Sequence, residues 1–255
     1  MVKISIITCC YNRKSTIGNA IQSVFSQDYP NIEYIIVDGN SKDGTQGVIE
    51  ECIAKAPENI TVRYISEPDH GMYEAINKGL RMATGDVVGL VHSDDMLSSN
   101  HIISEIAAEF ERTGAEFLYG NGIFVDADDT NHIVRNWRSG KYSRRKVRFG
   151  WLPLHPTCYV KRDVIQRIGL YDESYRIAAD TDWLVLYLYC NSLKVTYLQQ
   201  RIITMRLGGL STDISKHSIV WHEDINVFHK YGLRPAILVR MLKVARKIPQ
   251  YFFKN

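Results

Sequence analysis

The sequence predicts an α/β fold in which helices flank a mostly parallel central sheet. Short β-rich segments alternate with helical patterns through the first half of the chain, and polar residues follow the end of each predicted strand. The composition, 45% hydrophobic and 23% charged over 255 residues, suits a sizeable buried core. Strands alternating with helices of this length favour right-handed βαβ units, which make neighbouring strands parallel.

The predicted elements follow one another in a regular order. The first strand, Lys3–Thr8, is β-rich, and the helix after it, Thr16–Gln27, ends before Pro30 because proline breaks a helix. Tyr34–Asp38 is an apolar run typical of a buried strand, and the turn-forming residues of Ser41–Thr45 come next. The remaining predicted helices are Gln46–Lys55, Met72–Ala83 and Ile102–Thr113, and the remaining strands are Thr61–Ser66, Val87–Val91 and Phe117–Tyr119.

Polar side chains cluster where four successive strands are predicted to end. In open α/β sheets, ligands bind beyond the carboxyl ends of the strands. The residues at these ends are Thr8, Tyr11, Asn12 and Arg13, then Asp38, Ser41 and Asp43, then Glu67 and Asp69, and finally Asp94 and Asp95. We therefore expect a binding site at this edge of the sheet.

Two acidic segments at these strand ends each allow two interpretations. Asp94 and Asp95 are adjacent and can supply oxygen ligands to Mg²⁺ or Mn²⁺, which bind phosphate oxygens, or they can cap the helix that follows. Asp38 can accept hydrogen bonds from a nucleotide, or it can belong to a turn.

Several protein classes are disfavoured by what the sequence lacks. It contains neither G-x-G-x-x-G after the first strand nor G-x-x-x-x-G-K-[ST], which counts against NAD-type dehydrogenases and P-loop enzymes. Its apolar runs are too short to cross a bilayer. The N-terminus lacks the features of a secretion signal, and the five cysteines show no C-x-x-C spacing. These features predict a cytoplasmic protein with reduced cysteines.

Ten short motifs follow one another in order between the first strand and residue 211. They are TCCYNR at 8–13, AIQSVFSQDYP at 20–30, IIVDGNSKDGT at 35–45, SEPDHGMYEAINKG at 66–79, ATGD at 83–86, HSDD at 92–95, HP at 155–156, GLYDE at 169–173, ADTD at 179–182 and GGLS at 208–211. In this combination the chain resembles the inverting family 2 glycosyltransferases, which have the GT-A fold of nucleotide-diphospho-sugar transferases.

The resemblance implies a role for each donor-site residue. Thr8, Tyr11 and Asp38 would hold the base and ribose, with Asp38 accepting from a uracil-type imide N–H. The other residues implied in donor binding are Asn12, Asp69, Gly71, Asn77 and Asp94. His92 stands where the family more often has Asn or Asp.

The resemblance also implies a metal site and a catalytic base. Asp94 and Asp95 would bind Mn²⁺ or Mg²⁺ on the diphosphate, with His217 as a candidate further ligand. Asp180 would be the general base, although Ala179 replaces the family's preceding acid and Asp182 is a rival. Two residues are candidates for acceptor contacts. Trp183 can stack on an acceptor sugar or pack in the core, and His155 can reach the acceptor or serve as a structural hydrogen-bonding residue.

Two segments, 134–148 and 234–255, carry many lysines and arginines and no acidic residue. In the second, Ile237, Met241, Val244 and Ile248 fall on one helical face and Arg240, Lys243 and Lys247 on another. This pattern predicts either a helix on an anionic membrane surface, with Phe252 and Phe253 as anchors, or a helix packed on the body with its basic face in water. The first segment would cover a diphosphate or a lipid-linked acceptor, or form an exposed basic loop. Neither carries a nucleic-acid recognition motif, so no nucleic-acid partner is expected.

These observations combine into one functional prediction. Residues 1–220 would form the transferase domain, with a nucleotide-sugar half at 1–120 and an acceptor and catalytic half at 121–220, followed by a basic helical extension at 221–255. The protein would move a sugar from a nucleotide-diphosphate donor, UDP-linked by preference, to a glycan or polyprenyl-diphosphate-linked acceptor in surface polysaccharide synthesis. It would act on the inner face of the cytoplasmic membrane. The alternatives are a non-catalytic nucleotide-sugar-binding module and a sugar nucleotidyltransferase.

Overall fold

A computed structural model of the chain describes residues 1–208 and 217–252. The strands are β1 (Ile4–Cys10), β2 (Ile32–Asp38), β3 (Ile60–Ser66), β4 (Val87–Leu90), β5 (Met96–Leu97), β6 (Phe117–Val125), β7 (Ile133–Trp137), β8 (Tyr159–Lys161) and β9 (Val195–Arg206). The helices are α1 (Ile17–Phe25), α2 (Thr45–Ile53), α3 (Met72–Met82), α4 (Ile102–Thr113), α5 (Arg144–Arg148), α6 (Arg162–Ile168), α7 (Ala179–Val185), α8 (His217–Lys230) and α9 (Ala236–Ala245). A π-helical turn at Leu186–Cys190 extends α7, and 3₁₀ turns cover His155–Thr157 and Ile248–Tyr251.

The strands form one sheet in the order β3-β2-β1-β4-β8-β6-β9-β5, with β7 paired to β6. The first four are parallel, as predicted. β8 is antiparallel to both β4 and β6, and β9 runs parallel to β6. The predicted division at residue 120 falls inside β6, and the one at residue 220 falls inside α8. A continuous strand and a continuous helix therefore cross the two predicted divisions, which stay predictions.

Apolar side chains fill both faces of the sheet because strand residues alternate between faces. In β1, Ile4 and Ile6 belong to a core that also contains buried side chains of α1, α2 and α4. Ile7 belongs to a second core, which contains buried side chains of α3 and of α5 through α9. The sheet therefore lies between two layers of helices, and all the helices of the second half pack on one side.

Helix α3 approaches β1 closely, which brings its first turn near the strand ends. A Cβ atom at Gly79 would lie 2.4 Å from Cγ2 of the buried Ile7 side chain, so this contact requires glycine. The helix begins after Gly71, whose φ of 148° favours glycine over other residues.

Helix α9 packs on α8 through Val239 and Arg240, which are both buried. The predicted helix at 236–248 is therefore confirmed in its main part, with a 3₁₀ turn after it. None of the helices within 1–208 and 217–252 has the length and apolar character needed to cross a bilayer.

Candidate functional site

Tyr11, Gly39 and Asp69 meet at the ends of the first three strands. A Cβ atom at Gly39 would lie 2.5 Å from Asp69 Oδ2 and 3.3 Å from Tyr11 Cδ2, so the missing side chain lets both groups approach. The Tyr11 ring is 58% exposed, and burial raises the pKa of the half-buried Asp69 carboxyl. An open aromatic ring beside a hydrogen-bond acceptor suits a planar, hydrogen-bonding ligand such as a nucleobase.

Asp38 lies next to this position and is buried, with several hydrogen-bond partners within the protein. Its carboxylate is fully buried and accepts hydrogen bonds from the Ser41 backbone N–H at 3.0 Å, from Ser66 Oγ at 2.7 Å and from the Ser41 hydroxyl. Gln46 Nε2 donates a further bond at 3.2 Å. In this arrangement the Asp38 carboxylate holds the loop after β2, and its predicted contact with a base stays a prediction.

Thr8 and Asn12 also have structural partners. Thr8 Oγ1 is buried, donates to the Val91 carbonyl at 2.7 Å and accepts from Tyr34 Oη at 2.9 Å. Asn12 Oδ1 accepts from the Lys42 backbone N–H at 2.9 Å. The Thr8 hydroxyl therefore has both an acceptor and a donor partner within the protein, and the Asn12 side chain fixes the loop after β2 beside Tyr11. The predicted donor-sugar contacts of both residues stay predictions.

Asn77 joins α3 to the loop before α7. Its amide donates to the Tyr171 carbonyl at 2.9 Å and to Glu173 Oε1 at 2.7 Å, and its oxygen accepts from the Tyr171 N–H at 3.0 Å. The side chain is 1% exposed. Asn77 therefore clamps α3 to the loop before α7, and its predicted role in lining a donor pocket stays a prediction. Gly71 lies exposed at the start of α3.

Asp94 and Asp95 lie in a tight turn between β4 and β5. The Asp95 N–H donates to the His92 carbonyl at 3.0 Å. Asp95 is 2% exposed, and its Oδ2 has no hydrogen-bond partner among the residues that the structure describes. Burial, together with the charge of Asp94, raises the pKa of Asp95 well above its usual range, and Arg206 partly offsets this shift. Arg206 is nearby because β5 and β9 are antiparallel, with Met96 opposite Thr204.

A divalent cation fits these two carboxylates chemically. A buried oxygen without a partner, next to a second carboxylate, is an arrangement that a positive ion would stabilise. The capping alternative is wrong, because His101 precedes the first turn of α4 and neither aspartate caps it. In the described part of the chain, no three His, Cys, Asp or Glu side chains converge as a metal site. His217 begins α8, and its predicted role as a further metal ligand stays a prediction.

Asp180 lies in the first turn of α7, half-buried, and interacts electrostatically with His92 at the end of β4. Its Oδ1 accepts from the Thr181 N–H at 2.6 Å. Burial raises the pKa of Asp180; Lys243 and Lys247 oppose the shift, and Asp224 adds to it. A carboxylate that is partly accessible and has a raised pKa is suited to accept a proton.

Asp182, the rival base, has a structural partner. Its Oδ1 lies 2.8 Å from Lys230 Nζ on α8, and its side chain is 5% exposed. Lys230 also pairs with Asp172 at 3.2 Å. The structure therefore favours Asp180 over Asp182 as the reactive carboxylate.

Trp183 and His155 are both buried among aromatic rings. Trp183 is 4% exposed and stacks on Tyr187 and Tyr171, with ring centroids 4.0 and 5.2 Å apart. His155 Nε2 lies 2.7 Å from Tyr171 Oη, and burial lowers the pKa of this imidazole to about 3. The structure shows the core role of Trp183 and the hydrogen bond of His155 that the sequence left open, and the predicted acceptor contacts of both residues stay predictions. The ring of His155 also stacks on the ring of His92, with ring centroids 6.1 Å apart, and so supports the position of His92.

The basic face of α9 points into the protein. Neither interpretation of the segment 234–255 predicted this orientation. Arg240 Nε and Lys243 Nζ each lie 2.7 Å from a carboxylate oxygen of Asp224 on α8. Lys243 also donates to Thr181 Oγ1 at 2.7 Å. The opposite, apolar face is exposed, with Ile237 and Ile248 both at 57%. Phe253, a predicted anchor, lies outside the described residues.

Three residues of the site were not predicted: Gly39, Arg206 and Lys243. Gly39 was visible in the sequence only as one of the turn-forming residues after β2. Arg206 ends β9, a strand that the sequence analysis did not predict. Helical periodicity placed Lys243 on the basic face of α9 but did not show that this face points into the protein.

Comparison with known proteins agrees with this geometry. The family model described as Glycosyl transferase family 2 matches residues 5–168, more than half of the chain. The chain belongs to glycosyl transferase family 2. It is therefore a glycosyltransferase enzyme, which sets aside the non-catalytic and nucleotidyltransferase alternatives.

Relatives of this glycosyltransferase are found in mycobacteria. An uncharacterized glycosyltransferase of Mycobacterium tuberculosis is 28% identical over 187 residues, which is 71% of this chain and 67% of that protein. A PGL/p-HBAD biosynthesis glycosyltransferase of Mycobacterium bovis is 26% identical over 212 residues, or 82% of this chain and 79% of the relative.

Solved structures share the fold. S. aureus TarS (residues 1–349) has a TM-score of 0.68 at 20% identity, covering 96% of this chain and 73% of that one. A mannosyltransferase of Pyrobaculum calidifontis, solved with GDP-Man and Mn²⁺, has a TM-score of 0.65 at 15% identity, covering 93% and 68%. These similarities confirm the predicted GT-A fold.

Proposed function

We propose that this glycosyltransferase moves a sugar from a nucleotide-diphosphate donor, UDP-linked by preference, to a hydroxyl of a glycan or lipid-linked acceptor, with inversion. The observation that carries the proposal is the position of Asp180. This carboxylate is partly accessible, has a raised pKa and interacts with His92, two residues before the acidic pair. Direct displacement at a sugar carbon requires a base and a leaving-group site that lie close together.

Tyr11 and Asp69 hold the base of the donor in this proposal. The exposed Tyr11 ring stacks on the base, and the Asp69 carboxylate accepts its imide N–H across Gly39. Asp69 thus takes the role that the sequence assigned to Asp38. TarS has been solved with UDP-GlcNAc and with UDP, which supports a uridine donor here through the shared fold.

Asp94 and Asp95 would hold Mn²⁺ or Mg²⁺ on the donor diphosphate. The bound ion would stabilise the negative charge that develops on the leaving nucleoside diphosphate. Arg206 would also help to stabilise this negative charge. Its Nη1 is buried without a hydrogen-bond partner in the described residues, and its charge acts on Asp95. The P. calidifontis mannosyltransferase, solved with Mn²⁺, supports this assignment by its fold.

Asp180 removes the proton from the attacking hydroxyl as the new bond forms. General-base assistance of this kind contributes roughly 10²–10⁴-fold to the rate. Its raised pKa makes it a stronger base than an ordinary aspartate, and the hydrogen bond from Lys243 to the Thr181 hydroxyl fixes the turn that carries it.

The acceptor is proposed to be membrane-associated, with the protein bound at the inner face of the cytoplasmic membrane during assembly of a surface polysaccharide. The exposed apolar face of α9 continues into the 3₁₀ turn after it; its members are Ile237, Leu238, Met241, Val244, Ile248, Tyr251 and Phe252. Arg234 and Arg246 are exposed just beyond the two ends of α9, where anionic headgroups would meet them. Membrane contact is therefore proposed through the apolar face instead of the basic one.

The first experiment measures nucleoside-diphosphate release from UDP-, GDP- and dTDP-sugars, with Mn²⁺ or with EDTA, and with a membrane lipid extract as the acceptor source. Wild type is compared with Asp180→Asn and, as a matched control on the same helix, Asp182→Asn. Metal-dependent release from one donor that is lost in Asp180→Asn and kept in Asp182→Asn supports the proposal. If no donor is bound or cleaved, or if Asp180→Asn is as active as wild type, the proposal fails.

A further inference from the structure

A strongly basic cavity of about 340 Å³ lies between α9, the turn that follows it, and the segment from the end of β7 to Leu152. Five of its lining residues are basic: Arg138, Lys146, Lys243, Arg246 and Lys247. No acidic side chain lines it among the residues that the structure describes. Trp137 and Trp151 form part of its wall. It therefore combines high positive charge with a partly apolar surface.

The charge around this cavity is only partly balanced by the protein. Arg135 is 5% exposed, with its guanidinium 4.6 Å from the ring centres of both Phe124 and Trp137. Its Nε donates to Gln250 Oε1 at 2.7 Å, and within residues 1–208 and 217–252 it has no carboxylate partner. Burial, together with the neighbouring charges of Lys243 and Arg135, lowers the pKa of Lys247 to about 8. A bound anion would relieve this repulsion.

The cavity lies close to Asp180 but apart from the acidic pair. Lys243, which lines it, donates to Thr181 Oγ1, and Thr181 follows Asp180 directly. Lys243 and Lys247 both act on the charge of Asp180. Neither Asp94 nor Asp95 lines the cavity. An anion held there would be next to the base without occupying the place of the donor diphosphate.

We propose that this cavity binds a phosphate or diphosphate group carried by the acceptor. The inference rests on the proposed function, because it takes Asp180 as the base that the acceptor must approach. Lysines and arginines are the side chains that bind phosphate oxygens; five line the cavity, and of these Lys243 is already paired with Asp224. The exposed side chains of Val244 and Ile248 lie on the same helix and the turn after it, so the acceptor is assigned as an anionic amphiphile, a lipid linked through phosphate.

The test is binding of inorganic pyrophosphate to the full chain by titration calorimetry in EDTA, where no metal can bridge pyrophosphate to Asp94 and Asp95. Arg246→Gln and Lys247→Gln should each weaken binding about tenfold, since each removes one charged contact. Arg145→Gln is the matched control, because Arg145 is an exposed residue of α5 that does not line the cavity. Circular dichroism melts establish that each variant is folded.

Two further binding experiments identify the kind of molecule that carries the phosphate group. Saturating UDP should leave pyrophosphate affinity unchanged, and displacement by UDP would assign the cavity to the donor and overturn the proposal. Geranylgeranyl diphosphate in micelles should bind at least about tenfold more tightly than pyrophosphate, through the apolar strip. Equal affinities would overturn the lipid assignment and leave a soluble phosphorylated acceptor.

The outcomes are distinguishable from failure of the proposed function. Absence of pyrophosphate binding, or an equal loss in Arg145→Gln, overturns the inference even when donor cleavage is normal. Loss of donor binding and cleavage in the wild type overturns the proposed function, whatever the pyrophosphate result.

Discussion

Lys243 Nζ donates to Thr181 Oγ1 across 2.7 Å and thereby joins the C-terminal helix to the residue after Asp180. The same ammonium group pairs with Asp224 on α8 at 2.7 Å. Helix α9 is thus not an appendage that only anchors the enzyme. Because its basic side chains act on the charge of Asp180, the tail contributes to the electrostatics of the site.

Replacing the proposed base should lower turnover without lowering donor affinity. In Asp180→Asn, we expect kcat to fall by about 10²–10⁴-fold, because the amide cannot accept the proton. The dissociation constant of UDP should stay within about twofold of the wild type, because Asp180 does not contact the base of the donor. Steady-state kinetics and UDP titration measure the two quantities. A variant that keeps full turnover would remove Asp180 from the mechanism.

The pH profile should show the raised pKa of Asp180. The base must be ionised to act, so kcat/KM is lost as the pH falls through that pKa. Because burial raises this pKa, while Lys243 and Asp224 act in opposite directions, the loss should begin at a higher pH than for an aspartate in water. Measuring kcat/KM between about pH 4 and pH 8, with UDP affinity as the control, tests this. The prediction would be contradicted if kcat/KM fell only at the lower pH at which an aspartate in water titrates.

Asp69 and Asp38 should respond oppositely to the same substitution. Asp69→Asn should weaken UDP binding by about tenfold, because a carboxylate that accepts the imide N–H is lost, and should leave stability nearly unchanged. Asp38→Asn should reduce the free energy of unfolding by about 1–3 kcal/mol, because Ser41 and Ser66 lose a buried acceptor. Calorimetric UDP titration and urea unfolding distinguish the two. Should Asp38→Asn weaken UDP binding more than Asp69→Asn, the reassignment would be wrong.

Asp95 should stabilise the metal-loaded protein and destabilise the metal-free one. In EDTA, Asp95→Asn should raise the free energy of unfolding by about 1 kcal/mol or more, because a buried, unpartnered carboxylate is removed from beside Asp94. With Mn²⁺, the wild type should gain thermal stability and the variant should not. Melting curves with and without metal give both results. An unchanged melting temperature of the wild type on adding Mn²⁺ would argue against a metal at this pair.

Met241 distinguishes the two modes of membrane contact. If the exposed apolar face enters the bilayer, both Met241→Glu and Met241→Lys should reduce partitioning onto anionic vesicles by about tenfold. If attraction between charges dominates, the lysine variant should bind more tightly than wild type. Vesicle sedimentation at two salt concentrations measures this, and unchanged binding of both variants would remove α9 from the membrane surface.

As far as β6, and apart from β5, the sequence alone established the order of the elements; it also predicted the edge of the sheet at which the site is proposed. Both depend on local information: period-two patterns, helix stops, and polar residues at successive strand ends. Helical periodicity likewise established that α9 has an apolar and a basic face. These features survive in the structure because each follows from residues close together in the chain.

Only the tertiary structure decided which polar groups remain available for chemistry. Asp38, Asn77 and Asp182 look as reactive in the sequence as Asp69 and Asp180, but each of the first three is satisfied by residues on distant elements. The orientation of α9 was decided in the same way, since Asp224 on α8 draws its basic face inward. The partner of a buried charge comes from whichever element the fold packs against it, and the spacing of residues in the sequence does not show which element that is.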